Sequence, residues 1–273
     1  MPSTPAPPPA VQTLALRYAK RGPLRFASHR VIQRVFERAV RRAGLPIAFS
    51  AGFTPHPRIS YLGAAPTGAA SEAEYLLIRL TEHRPPDWAA SSLNAAMPRD
   101  LPIITAVTWD SAIHGDLGEQ LAASLWRIEL GRADPARAGM AAERFLACDS
   151  YAARRIRPGP AEALGGAAGP GSKPARPRPG RGDAKPNREV EVRGNTLALQ
   201  ADAVAATGFE PSCAILDVVL RHATPAVRPD DVIAALVAHG LEIGSPPRAT
   251  RLAQGEYSVE AGAVTDPFSR MRT

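Results

Sequence analysis

LALRYAKRGPLRFASHRVIQRVFERAVRRAG, residues 14–44, contains the change of period that decides the fold class. Leu14, Leu16 and Tyr18 alternate with Ala15 and Arg17, the two-residue period of a half-buried strand. Lys20-Arg21-Gly22-Pro23 then turns the chain. Ser28 is placed to cap a helix over 29–43, in which Val31, Ile32, Val35, Phe36, Ala39 and Val40 recur at helical spacing, and Gly44 ends it. Strand, turn and amphipathic helix in immediate succession open a mixed α+β architecture.

Working outward, extended pieces are predicted at Ile47–Ser50 and Arg58–Tyr61, then a strand at Glu74–Leu80, a helix near Asp87–Ala96 and a strand at Ile103–Trp109. The order is β-α-β-β-α-β. The second half repeats it. Leu125–Leu130 alternates as a strand, and Asp134-Pro135 opens a helix carrying Ala138, Ala142, Phe145 and Leu146 on one face. Tyr151–Arg157 reads as extended, and Glu189–Arg193 and Thr196–Gln200 flank Gly194-Asn195, a two-residue hairpin signal. Cys213–Leu220 is a β-branched run. Pro229-Asp230-Asp231 opens a helix that stops at Gly240, and Arg248–Gln254 closes the set. The expectation is an α+β chain of two tandem ferredoxin-like (βαββαβ) modules with antiparallel sheets, spanning 11–112 and 121–256. Residues 1–10 are expected to be disordered and 257–273 to form a flexible C-terminus. Residues 158–188 hold seven Pro, seven Gly and six basic residues, so they read as a disordered insert.

Composition excludes several chemistries. The chain has 273 residues, 45% hydrophobic and 22% charged, enough for one large core or two small ones. No 18 apolar residues run together and the Pro-rich start has no signal-peptide pattern, so a cytoplasmic protein without a membrane span is expected. Two cysteines, Cys148 and Cys213, cannot make a Cys₄ zinc site, a disulfide framework or a three-cysteine iron–sulfur cluster. No metal site and no cofactor are expected in this chain. A phosphate-binding P-loop, a dinucleotide glycine fingerprint, H-E-x-x-H and G-x-S-x-G are all absent from the sequence.

Charge is concentrated at one end. Residues 1–60 carry ten basic residues against one acid, Glu37, while the other 213 residues sum to −2. Such a segment attracts polyanions. Arg30, Arg34, Arg38 and Arg41 fall within an arc of about 80° on the helix, opposite the apolar residues. The stripe either tracks a phosphate backbone or is an ordinary solvated face. His29 falls on the apolar arc near Phe36 and Val40, as a hydrogen-bonded structural histidine or as an acid or base beside an anion. In Ser50-Ala51-Gly52-Phe53-Thr54-Pro55-His56-Pro57-Arg58, two prolines stiffen the frame around His56, Gly52 allows close backbone approach, and Phe53 is free to stack on a base. The alternative is a hairpin whose prolines only fix an edge. Glu72 and Glu74 are placed to pair with the arginines.

Residues 20–75, with RRAGLPIAFSAGFTPHPRIS at 41–60 and SEAEY at 71–75, resemble the radical SAM-linked protein family, a bacterial domain of unknown function. Weaker similarity continues through RPDDVIAAL to RLAQG near the C-terminus. The resemblance implies a partner of a radical SAM protein rather than the radical enzyme, and the missing C-x-x-x-C-x-x-C motif agrees. Val31 stands where that family commonly has Asp. The expected function is therefore a non-catalytic accessory protein that binds RNA. Arg25, Arg30, Arg34, Arg38 and Arg58 would contact phosphates, with Gly52, Phe53 and His56 at the base or sugar. Two alternatives stand beside it. The tandem order is similar to that of metal-independent CRISPR repeat-processing endoribonucleases, in which His29 or His56 would be the acid or base, although their C-terminal glycine-rich loop is missing between Gly240 and Gly262. The other is a protein-interaction module.

Overall fold

The computed structural model describes residues 7–155, 188–204 and 213–271. The expected insert at 158–188 lies outside these residues except for Arg188, as does most of the N-terminal stretch.

In the first half, β1 (Gln12–Lys20) runs between two antiparallel neighbours, β3 (Ala70–Leu80) and β4 (Ile103–Thr108), and β2 (Ile59–Leu62) pairs antiparallel with β3. Leu14, Leu16 and Tyr18 point to the face covered by α1 (His29–Arg42) and α2 (Pro86–Ala96). The apolar spacing of α1 works as predicted: Ile32, Phe36, Ala39 and Val40 are buried against that face, and Gly44 at φ +64 stops the helix. Val31, expected on the apolar side, is 43% exposed, because the sheet is met by a narrower stripe than six residues. Ser28 has extended backbone at the cap but makes no side-chain capping bond.

The second half contains β5 (Ala123–Gly131), flanked antiparallel by β9 (Cys213–Arg221) and β10 (Arg248–Ser258), with β8 (Thr196–Val204) outside β9. α3 (Pro135–Leu146) and α4 (Pro229–Ala238) cover it, with Phe145, Leu236 and Trp126 in one apolar cluster. Asp134 accepts from the Ala136 amide at 2.9 Å and caps α3 as its sequence suggests. The predicted Gly194-Asn195 hairpin does not form. β7 (Arg188–Glu191) pairs with β6 (Ala152–Arg155), β8 pairs with β9, and residues 193–195 make one 3-10 turn between them. The Asn195 side-chain amide donates to Glu191 O at 2.8 Å and the Thr196 hydroxyl to Val192 O at 2.8 Å. These bonds carry the chain from one sheet into another rather than folding it back on itself.

The chain is thus mixed α+β with a largely antiparallel open sheet, but its strand order is more elaborate than two separate modules. β3 and β10 pair in parallel at Ala70–Thr250 and Ser71–Arg251, giving the order β4-β1-β3-β10-β5-β9-β8. At that seam the Arg251 guanidinium bonds to the Glu74 carboxylate, with both residues almost fully buried, and Gln254 Nε2 donates to Ala73 O. The C-terminal stretch returns to the sheet. Residues 263–265 form β11 on β10, and a 3-10 turn over Pro267–Met271 buries Phe268 completely beside Ala15, Tyr75 and Trp109. Asp266 accepts from Arg17 Nη1 at 2.6 Å and from the Tyr75 hydroxyl at 3.0 Å. Burying a phenylalanine contributes roughly 1.5–3 kcal/mol, enough to hold this short segment on the second face of the first half's sheet.

Two stability measurements follow from these contacts. Glu74→Gln leaves a buried guanidinium without its counter-charge and is expected to lower unfolding free energy by about 3–5 kcal/mol in urea titration, whereas Glu74→Leu with Arg251→Met is expected to cost less than either change alone. A Cβ on Gly255 would lie 1.8 Å from the Thr265 carbonyl oxygen, so Gly255→Ala is expected to cost about 1–3 kcal/mol by forcing β11 off β10; an unchanged midpoint contradicts that packing.

Candidate nucleic-acid interface

Three of the candidate arginines come together as expected. Arg30, Arg34 and Arg38 stand exposed on the solvent face of α1, and Arg41 is exposed with them. Among the described residues none of the four forms an ion pair, although Glu37 is on the same helix. The sequence-local acids went elsewhere. Glu72 takes Arg21 through two bonds, Arg21 Nε to Oε1 at 2.7 Å and Nη2 to Oε2 at 2.5 Å, and Glu74 turns inward to Arg251. Hydrogen bonding to Glu72 raises the Arg21 pKa further above its ordinary value.

The Ser50–Pro57 loop is a closed protrusion. Ser50 N donates to His56 O at 2.9 Å, His56 N donates to the Ser50 hydroxyl at 3.0 Å, and Phe49 bridges Pro57. Gly52 sits at φ +124, a conformation that side-chain-bearing residues rarely adopt. Among the described residues, nothing beyond its two chain neighbours comes within 4 Å of where its Cβ would be. Phe53 at the tip is fully exposed, and His56 and Arg58 are exposed as well. A large ring held in water on a short, internally bonded loop is available to stack on a planar partner.

Arg25 is placed apart from this face. Its Nε donates to Gly68 O at 2.7 Å and its guanidinium lies 5.6 Å from the Phe26 ring, in the 3-10 turn Gly22–Phe26. That turn lines a groove of about 680 Å³ between the halves, with Pro66, Gly68, Asp230 and Arg248. Phe26 is 67% exposed there. His29 does not reach Phe36: its ring is exposed, meets the edge of Tyr61 at 5.1 Å, and Tyr61 in turn meets Phe36. Its Nε2 is 3.1 Å from Gln33 Nε2, and among the described residues no carboxylate orients it or His56. Burial, and secondarily the Glu37 charge, raise the Tyr61 phenol pKa, so this hydroxyl stays protonated.

A second polar cluster at the seam is one that sequence reading missed. Lys20, Glu74, Arg251, Ser71 and Ser124 are all buried. Lys20 Nζ donates to the carbonyls of Ala65 and Pro66, each at 3.2 Å, and burial lowers its pKa. The Ser124 hydroxyl is 2.6 Å from His222 Nε2. Desolvation of this ring, then the Arg251 charge, lower the His222 pKa to about 4, opposed by a bond to the Leu121 backbone. A cavity of about 310 Å³ opens beside them, lined by Ser124, Trp126, Leu220, Val227, Arg251 and the Nε2 side of His222, with exposed Arg228 at its mouth. The trace in the sequence was Glu74, placed to pair with an arginine; nothing linked it to Arg251, 177 positions away, or to Lys20. Among the described residues no group of three or more His, Cys, Asp or Glu side chains could hold a metal ion. No helix of the described residues is long and apolar enough to cross a membrane.

These observations define a mixed α+β protein with an unneutralised basic face on its first half and a buried polar seam between halves. The chain belongs to the family described as "Uncharacterized protein conserved in bacteria" (DUF2344), whose sequence pattern matches residues 13–159. The matched stretch contains α1, the Ser50–Pro57 loop and Glu74, while β10 with Arg251 lies beyond it. No functionally curated protein matches the chain. Among solved structures it is similar to an unknown protein from Galdieria sulphuraria, at 10% identity over 88% of this chain and 98% of that one, with a TM-score of 0.23.

The His222 environment has a measurable consequence. The folded imidazole titrates below the unfolded value of 6.5, so the unfolded chain binds more protons as pH falls, and stability is lost from about pH 6.5 downward. The drop in melting temperature between pH 7.5 and pH 5 is expected to be smaller in His222→Asn than in the parent protein; equal drops would remove this assignment.

Proposed function

We propose that this protein is a non-catalytic, RNA-binding accessory protein that engages the RNA backbone through α1 and a base through the Ser50–Pro57 loop. The observation that carries the reading is the set of exposed guanidiniums on Arg30, Arg34, Arg38 and Arg58 with no ion pair among the described residues. Four uncompensated positive charges on one segment raise a field that phosphates relieve. Phe53, wholly in water beside them in sequence, supplies the sequence-tolerant stacking surface that single-stranded nucleic acid uses. Gly52 and His56 shape the loop that presents this ring. Arg25, held on the interhalf groove with Phe26, would take a phosphate further along a bound strand.

The halves are read as two ferredoxin-like units. The support is their repeated pairing: β1 between β4 and β3 with β2 outside, and β5 between β10 and β9 with β8 outside. A radical SAM enzyme is the proposed protein partner, on the resemblance carried by residues 20–75.

The test is fluorescence anisotropy with a labelled single-stranded RNA across a sodium chloride series. Five phosphate contacts give a log–log slope of about −3.5, and Arg30→Ala with Arg34→Ala is expected to reduce its magnitude by about 1.4. Phe53→Ala is expected to weaken binding by about 1–3 kcal/mol without moving the melting temperature. A flat salt response sinks the reading. RNA cleavage that disappears in His56→Ala would replace it with the endoribonuclease alternative.

A further inference from the structure

We propose that the cavity at the seam is a binding site for a small monocarboxylate with an apolar body. This inference is independent of α1 and the Ser50–Pro57 loop, with which the cavity shares no lining residue.

The buried seam holds two cations, Lys20 and Arg251, and one anion, Glu74, at 4%, 3% and 2% exposure. Glu74 is shared: one oxygen bonds Arg251 and the other accepts from the Ala65 amide at 3.1 Å. Among the described residues, Lys20 Nζ donates to the Ala65 and Pro66 carbonyls and to no carboxylate. One positive charge is therefore left over in a place where uncompensated charge is costly. A negative charge in the adjoining cavity offsets it.

Shape and chemistry select the rest of the ligand. Arg251 uses Nη2 for Glu74 and Nε for the Ser71 hydroxyl, at 3.3 Å, which leaves Nη1 for the cavity its side chain lines. Its guanidinium lies 5.3 Å from the Trp126 ring, so the indole helps fix its plane. Arg228 stands exposed at the mouth as a second donor, and the Ser124 hydroxyl lines the wall. A planar carboxylate suits guanidinium donors. Trp126, Leu220 and Val227 make the remaining wall apolar, which suits a hydrocarbon or aromatic body. A volume of about 310 Å³ is at the small end of ligand sites.

The probe is sodium benzoate, titrated into the full chain by isothermal calorimetry, with benzamide and inorganic phosphate as controls. Saturable benzoate binding is expected, with benzamide and phosphate each at least about tenfold weaker, a difference of about 1.4 kcal/mol. Arg228→Ala, which changes an exposed side chain, is expected to weaken benzoate about tenfold. Ala226→Trp, which fills the mouth from an exposed position, is expected to abolish binding while leaving the melting temperature and the RNA salt slope unchanged. No benzoate heat, equal binding of benzamide, or full binding by Ala226→Trp each overturns the proposal.

Discussion

The buried ion pair between Glu74 on β3 and Arg251 on β10 is the constraint from which the rest of the architecture follows. β1 occupies one edge of β3 along most of its length, and β2 occupies the other edge at 75–78. Only the start of β3 remains for the second half, and β10 meets it there through two residue pairs. Two rungs of parallel ladder are little to hold two halves together. Charge makes the joint specific: each partner buried without the other carries an energetic penalty of several kcal/mol, so neither half reaches its full stability without the other.

That seam also determines which basic residues remain available. Lys20, Arg17 and Arg21 belong to the same basic segment as the α1 arginines, yet each is absorbed into structure. Lys20 caps carbonyls at the seam, Arg17 meets Asp266 from the returning C-terminal segment, and Arg21 meets Glu72. Arg30, Arg34 and Arg38 point away from the sheet because the opposite side of their helix supplies Phe36 and Val40 to the core. Helical geometry, rather than an absence of acids in the chain, keeps this face uncompensated.

Local patterns were legible wherever a residue's neighbours in sequence were also its neighbours in space. The alternation at 14–18, the apolar spacing of α1, the Asp134 cap and the Pro229 helix start all appear where the residues indicate. The readings that changed depended on distant contacts. Gly194-Asn195 looks like a hairpin turn, but β6 and β9 compete for the flanking strands and pull them into different sheets. The stretch after 257 is polar and short, and Phe268 alone gave no sign that a hollow lined by Ala15 and Tyr75 was waiting for it. The exposed Gly52–Phe53 tip and the α1 stripe were visible in sequence because a single loop and a single helix carry them.

Sequence by itself determined the α+β class and the one-sided charge of the first 60 residues, since these arise from periodicity and composition over short spans. Tertiary structure alone decided which arginines stay free, that the two halves share a sheet, and that Ser124, His222 and Arg251 surround one cavity. Those facts depend on partners about 100 to 180 residues apart, whose proximity is set by strand pairing and burial rather than by any pattern in the local chain.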